Sequence, residues 1–340
     1  MIRQSVYFTG SKEVEIRDEQ PRECPPDRVR VRTLYSGISA GTEMLVYRHQ
    51  VPGQMPVDTG IQSLQGQFEY PMKYGYSLVG EITETGSEVD ASLEGKRIFA
   101  FHPHESTFLA HPPELIELPD DLTPEEGVFL PNMETAVNLV MDGQPTIGEQ
   151  IVILGQGVVG LLTTRVLSQY PGATIYTVDA YQSRRNASIQ FGANQSFATD
   201  EESIVNLQKL LFSAEDTDGA DLLYEVSGAP EALNQCLEYV GFGGRIIVGS
   251  WYGTKPVNLN MGGRFHRDRV TIQSSQVSTI ESRYRDRWTT SRRLQVAMDA
   301  LQNSSLQSLI THRFPIADAA RAYQLIDEHP EKTIQVILTY

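Results

Sequence analysis

The chain has 340 residues, 40% of them hydrophobic and 21% charged, with a formal net charge of -15. That length passes the ~250–300 residues at which one hydrophobic core stops growing, so two domains are expected. The acidic balance argues against a general binder of nucleic acid or anionic membranes, which needs surplus Lys and Arg. Cys24 and Cys236 are too few for a disulfide framework or a four-thiolate zinc site. The opening MIRQSVYFTGSKEVEIRDE alternates polar and apolar residues like a strand and lacks the apolar core of a cleavable signal. No window approaches the ~20 apolar residues of a membrane span, so a cytoplasmic location is the expectation.

In chain order, the first 120 residues read as β-rich. VRVRTLYSGI (29–38), YSLVGEITETG (76–86) and KRIFAF (96–101) have strand character, with turn signals such as PRECPPD and TGSEVD between them. Residues 48–70 lack periodicity and read as a long loop. Near residue 120 the pattern changes to a helix capped by Thr123, with Pro124 at its first position and Glu126 three residues after the cap. Strands at 150–155, 174–179, 220–228, 244–251 and 270–277 then alternate with helices at 158–170 and 183–192 and the helix EALNQCLEYV. Such alternation implies a doubly wound parallel sheet. A helix near 291–302, a strand near 310–314, a helix near 316–328 and the strand IQVILTY return to mixed character, so the parallel-sheet domain reads as an insertion in the other.

The strongest local signal is ILGQGVVG, in which Gly155, Gly157 and Gly160 form G-x-G-x-x-G between a strand and a helix. The first glycine serves the tight turn, the second the close approach of a pyrophosphate, and the third the packing of helix on strand. The helix N-terminus adds free N–H groups and the positive end of its dipole. Gln156, Val158 and Val159 fill the same turn. Asp179 lies 24 residues after Gly155, where a carboxylate meets the adenosine ribose. It would repel a 2′-phosphate and favours NAD over NADP, although Arg184 and Arg185 just downstream suit either a phosphate or a solvated helix turn.

The order of these parts resembles the medium-chain dehydrogenase/reductase superfamily over essentially the whole chain. YSGISAGTE (35–43) is similar to that family's Gly-Ile-Cys-Gly-Thr-Asp segment, and PMKYGYSLVGEI to its Gly-His-Glu-x-x-Gly-x-Val segment. LPDDLTPEEGVFLPNMETAVNLV resembles the stretch leading to the third metal ligand, and GADLLYEVSGAPEALNQCLEYVGFGGRIIVG the second half of the cofactor domain. The variant Ser-Gly-Ile-Ser-x-Gly-Thr-Glu is most similar to the branch that includes bacteriochlorophyllide hydroxyethyl dehydrogenase. The resemblance implies an α/β chain: a GroES-like β-rich catalytic domain (1–122 and 279–340) around an inserted Rossmann domain (123–278). It also implies a homodimer or homotetramer, and cofactor contacts at Ser227, Gly249 and Ser250.

Transferring the family's zinc ligands residue by residue gives a negative result. The cysteine falls on Ser39 or Ala40, the histidine on Tyr76, its neighbouring glutamate on Ser77, and the third ligand near Pro131. None of these builds the tetrahedral N/S site that zinc prefers, so no zinc is expected. The remaining route to a metal, His102-Pro-His104 with Glu105 and His111 nearby, reads more readily as a loop edge beside the cleft.

Without a metal, oriented donors must stabilise the charge that develops on a carbonyl oxygen receiving hydride. Thr42 matches the family hydroxyl that relays the alcohol proton, and the Tyr76 phenol stands where the lost histidine was. Packing in the void left by zinc is the equal alternative for Tyr76. Glu134 and His104 are further acid–base candidates; for Glu134 a helix cap or salt bridge is the commoner role. Trp251 and Tyr252 in SWYG are candidates for an aromatic substrate wall. His266, with Arg264 and Arg267, forms a basic cluster that suits an anionic group or a solvated turn. The expectation is a zinc-independent oxidoreductase moving hydride between NAD(H) and a secondary alcohol or carbonyl, on a bulky ring-borne hydroxyalkyl substrate. The alternatives are an enone or quinone reductase and a non-catalytic dinucleotide sensor.

Overall fold

The computed structural model describes residues 2–53, 55–58, 60–213 and 218–340. The chain divides into two compact units, one of Met1–Pro131 with Leu301–Tyr340, the other Asn132–Ala300. Among the described residues no helix is long and apolar enough to cross a membrane.

In the first unit the opening alternation folds as a hairpin, Arg3–Gly10 against Glu13–Glu19. The strand Val29–Ile38 is the hub of a larger sheet, pairing antiparallel with Leu78–Thr85, Thr107–Ala110 and Gln335–Thr339. Gln335–Thr339 in turn pairs in parallel with Ile310–Pro315. Alternate residues Val29, Val31, Leu78, Ile82, Ile98, Phe108 and Ala110 point into one core, the pattern that a period of two produces on a sheet with one buried face. Around residue 120 the Thr123 side chain accepts the Glu126 N–H, as the capping pattern predicts, but the helix stops at Gly127 and a second one spans Leu130–Gly143. Within 48–70 the described residues hold one short helical turn, Gln62–Leu64; Gln54 and Thr59 lie outside them.

The second unit is a six-stranded parallel sheet in the order 195–197, 174–178, 150–154, 220–225, 240–248, 271–274. The order runs outward in both directions from 150–154 and 220–225. A crevice therefore opens at the carboxyl ends of these two strands, where doubly wound sheets bind ligands. Ile151, Ile153 and Leu222 lie in a core on one face, and Val152, Leu154 and Leu223 in a core on the other, so both faces are covered.

The unit extends to Ala300, beyond the expected bound at 278, for a visible reason. Arg293, 1% exposed on the helix Thr290–Gln302, donates to Glu134 Oε1 at 2.9 and 3.2 Å and to Asn138 Oδ1 at 2.6 Å. It also donates to the carbonyls of Val277 and Thr279, which ties residues 277–293 to the helix that opens the unit.

Candidate functional site

At the crevice of the parallel sheet, the strand Gln150–Leu154 turns through Gly155 into the helix Val158–Leu167. Gly155 has φ +96°, and a Cβ there would lie 2.5 Å from the Ser227 Cα. A Cβ on Gly160 would lie 1.9 Å from the Gly155 carbonyl oxygen. Gly157 is different, because its Cβ would meet nothing nearer than Arg184 Nη1 at 4.0 Å. Two glycines are thus required by the turn itself, and the middle one leaves room above the backbone. Gln156 is fully buried and held by Thr164, which donates to its Oε1 at 3.0 Å.

Asp179 is 7% exposed, and its Oδ2 accepts the Gln156 N–H at 2.7 Å while Oδ1 accepts the Tyr181 N–H at 2.8 Å. Each carboxylate oxygen has a second lone pair, so acceptor capacity is left for ribose hydroxyls. Arg185 is committed to the carbonyls of Asp179 and Ala180, both at 2.8 Å. Arg184 lies over the Tyr181 ring, 4.9 Å from its centroid, with a guanidinium nitrogen nearest the Gly157 position. Open middle glycine, strand-end carboxylate and adjacent guanidinium fit a dinucleotide pyrophosphate and its ribose.

Across the crevice Glu225 ends its strand fully buried, and this residue escaped the sequence reading. Its carboxylate accepts from the Ser227 N–H at 2.8 Å, from the Ser227 hydroxyl, and from the Tyr252 hydroxyl at 2.5 Å. Gly228 N–H donates to Ser250 Oγ at 2.8 Å, and Gly249 N–H to the Glu225 carbonyl at 2.9 Å. Ser227, Gly249 and Ser250 therefore belong to one hydrogen-bonded rim. Tyr252 is part of that rim, its phenol pushed up by burial and by Glu225, and its ring packs on the core rather than standing free as a wall. The signal for Glu225 was present, an acid closing the apolar run ADLLYE.

In the β-rich unit, Tyr76 follows Gly75 at the edge of the strand Leu78–Thr85. Its phenol lies beside the Ser39 and Thr42 side chains. Burial, then the charge of Glu43, raise its pKa to about 12 against the opposing effect of those two side chains. Thr42 opens the short helix Thr42–Tyr47, and its N–H donates to Ser39 Oγ at 3.3 Å. Ser77 is buried and donates to the Val128 carbonyl at 2.5 Å, so this hydroxyl serves the fold.

Beneath the three hydroxyls lies a buried polar chain. Glu43 Oε1 accepts the Ser39 N–H at 2.9 Å, and Oε2 meets His104 Nε2 at 2.9 Å and the Tyr323 hydroxyl at 2.6 Å. His104 Nδ1 reaches Ser36 Oγ at 2.6 Å, and Ser36 reaches the Tyr340 hydroxyl at 2.7 Å. Gly75 has φ +125°, and a Cβ on it would strike the His104 ring at 2.7 Å. His104 is 0% exposed with both ring nitrogens engaged, which makes it a group that positions Glu43 and the Gly75–Tyr76 backbone.

The other candidates sit elsewhere. Glu134 is tied to Arg293 in the parallel-sheet unit; burial pushes its carboxyl up and Arg293 opposes that. The salt-bridge role weighed in the sequence is thus the arrangement found. His266 and Arg267 are exposed just after the turn Met261–Phe265, while Arg264 donates to the Val240 carbonyl at 3.0 Å. Trp251 is partly buried. His102 stacks on Phe108 with centroids 3.9 Å apart, His104 is in the buried chain, and His111 faces Asp27 at 3.5 Å. Among the described residues no group of three or more His, Cys, Asp or Glu side chains is placed to hold a metal ion.

Residues 158–294 match the family model described as zinc-binding dehydrogenase. A curated relative, D-guloside 3-dehydrogenase of Escherichia coli K12, is 22% identical over 350 residues, covering 98% of each chain. Galactitol-1-phosphate dehydrogenase from Escherichia coli superposes with a TM-score of 0.78 at 19% identity, covering 99% of this chain and 100% of that one. A short chain alcohol dehydrogenase from E. coli CFT073, solved with NADH, has a TM-score of 0.78 at 17% identity, covering 100% and 99%. At these identities the structural likenesses speak for the fold, a β-rich unit interrupted by a parallel-sheet unit.

Proposed function

We propose that this chain, which belongs to the zinc-binding dehydrogenase family of alcohol dehydrogenase-like proteins, is an NAD(H)-dependent oxidoreductase that interconverts a secondary alcohol and a carbonyl without a catalytic metal. The observation that carries the metal-free part is the buried Tyr76 phenol beside the Ser39 and Thr42 side chains, where family members are expected to hold zinc. When bound, the dinucleotide supplies or accepts the hydride. Gly157 and Arg184 would hold its pyrophosphate, and Asp179 its ribose.

The chain's own part is proton handling. With a pKa of about 12, the Tyr76 phenol remains protonated at neutral pH and is a donor rather than a base. In carbonyl reduction it donates to the oxygen that gains negative charge, with the Thr42 and Ser39 hydroxyls as its polar neighbours. Preorganised donors of this kind act at the developing charge and cost no reorganisation during the reaction. The buried Glu43 raises the cost of a phenolate and keeps the proton available. In the direction of oxidation the same group would have to surrender its proton first, so reduction is the direction these residues favour.

The substrate class follows the relatives. D-guloside 3-dehydrogenase and galactitol-1-phosphate dehydrogenase are named for hydroxylated sugar derivatives. A secondary hydroxyl on a molecule of this kind also fits the hydroxyalkyl expectation, and we take a secondary hydroxyl as the substrate group.

The test is metal analysis of the purified protein together with the turnover of Tyr76→Phe on a panel of cyclic secondary alcohols and their ketones. Activity in metal-free protein and a fall in kcat of roughly 10²-fold or more in the variant are expected. One zinc per chain on which turnover depends overturns the metal-free reading. Unchanged turnover in Tyr76→Phe reduces the phenol to packing.

A further inference from the structure

Besides the Tyr76 hydroxyls, the β-rich unit holds a partly enclosed cavity of about 130 Å³ whose lining includes Arg3, Arg22, Arg28, Arg30, His102 and Glu105. Four arginines around one small cavity stand out in a chain with a net charge of -15. Arg3 is paired with Glu19, and Arg30 with Glu84 at 2.6 Å. Arg22 and Arg28 make no side-chain hydrogen bond or ion pair among the described residues, so two guanidinium groups have no internal counter-charge.

A second observation converges on the same place. Three buried polar atoms of the lining, Arg3 Nε, His102 Nε2 and Glu105 Oε2, have no hydrogen-bond partner. Buried polar atoms are rarely left so, because the lost hydration costs about 1–3 kcal/mol per group. The three are of different kinds. Arg3 Nε is a donor, Glu105 Oε2 is an acceptor, and the imidazole nitrogen serves as either. Lys73 meets Glu105 Oε1 at 2.8 Å, and Arg3 Nη1 stands 3.5 Å from Oε2, an ion pair without a hydrogen bond that offsets the charge and leaves Oε2 able to accept one.

We propose that this cavity binds a small oxyanion that also bears a hydroxyl, with hydrogen phosphate or a short phosphate monoester as the class. The anionic oxygens would lie on Arg22, Arg28 and Arg3 Nε, in the forked geometry in which guanidinium groups recognise phosphate. The P–OH of a hydrogen phosphate would donate to Glu105 Oε2. His102 would gain a proton donor role toward the anion. In the free protein its pKa is held down to about 3, by burial first and then by Lys73 and Arg3, and an anion beside the ring opposes all three. This site does not depend on the oxidoreductase reading, since none of its residues has been given a part in that chemistry.

The experiment titrates the full chain with inorganic phosphate, sulfate and glycerol phosphate at constant ionic strength. It follows Tm and the ring-proton NMR signals of His102. Wild-type protein is expected to show a saturable rise in Tm with phosphate, a shift of the His102 signals over the same range, and a weaker response to sulfate, which lacks the hydroxyl. Arg22→Ala/Arg28→Ala should lose the His102 shift and most of the rise in Tm. That loss separates the cavity from phosphate taken up by the dinucleotide crevice. Stronger binding of glycerol phosphate than of phosphate identifies a monoester, and the reverse identifies the free anion. An unmoved His102 signal, or an equal response in the double variant, overturns the proposal, as does a sulfate response equal to that of phosphate.

Discussion

Glu43 Oε2 and His104 Nε2 meet at 2.9 Å with both side chains at 0% exposure. The pair fastens the start of the helix Thr42–Tyr47 to the segment 102–105 and so sets the floor beneath Ser39, Thr42 and Tyr76. Removing either member leaves the other buried and one partner short. His104→Ala is expected to destabilise the chain by roughly 2–4 kcal/mol in denaturant unfolding, from the lost hydrogen bonds and the volume left behind. Gln at position 104 should recover part of this, because its amide reaches one of the two partners.

The middle and last glycines of the dinucleotide turn should respond differently to the same methyl group. Gly160→Ala pushes a Cβ into the Gly155 carbonyl and should lower both Tm and dinucleotide affinity. Gly157→Ala meets open space in the free protein, so Tm should be unchanged while NADH affinity falls. Thermal melts and fluorescence titration with NADH measure the two effects separately.

Asp179→Asn keeps the bond from Gln156 N–H and removes the charge that opposes a 2′-phosphate. NADH binding is expected to weaken by about tenfold, the loss of one charge-assisted hydrogen bond, and the gap to NADPH to narrow. Tighter binding of NADPH than NADH by the unaltered chain would sink the assignment of Asp179 to the ribose.

The low pKa of His102 carries a signed consequence for acid stability. The unfolded chain takes up its proton near pH 6.5, whereas the folded protein does so only near pH 3. The neutral folded form therefore stabilises fully above 6.5. It loses ground as pH falls from there to about 3, at up to about 1.4 kcal/mol per pH unit before solvent screening. His102→Phe, which keeps the stack on Phe108, should flatten that part of the stability–pH curve in a buffer free of phosphate.

Arg293→Met should cost about 3–5 kcal/mol, because it leaves the Glu134 carboxylate and two carbonyls buried without their donor. Glu134→Gln should leave kcat unchanged if the carboxylate serves only Arg293. A fall in kcat without loss of stability would return Glu134 to the list of acid–base groups.

The parallel-sheet unit was largely legible in the sequence, since a strand, a glycine turn and a helix carry their information within about twenty consecutive residues. The register of apolar residues also placed the strands around Val29–Ile38. What sequence alone did not reveal depends on distant partners. Arg293 finds Glu134 across 159 positions, so the end of the inserted unit at Ala300 lay outside any local pattern. His104 finds Glu43 and Ser36 across 61 and 68 positions. An isolated histidine near a cleft reads as an acid or base until those two contacts are known. Glu225 was overlooked because a strand-end acid looks solvated, and only the fold reveals that Ser227 and Tyr252 close over it.

The pairing of Val336 with Ile38 has a consequence for how the chain is made. Gln335 and Ile38 are bonded across 297 positions, whereas Asn132–Ala300 is one uninterrupted stretch. During synthesis, with the N-terminus emerging first, the inserted unit is complete while the outer sheet still lacks the strand that covers the edge of Val29–Ile38. Its Val29–Arg32 end is paired early by Thr107–Ala110, but Tyr35–Ile38 waits for almost the whole chain, open to any other strand it meets. Loop closure over such a span is the slow kind of contact, so the half that bears Tyr76 is the later of the two to mature and the one with more need of a chaperone.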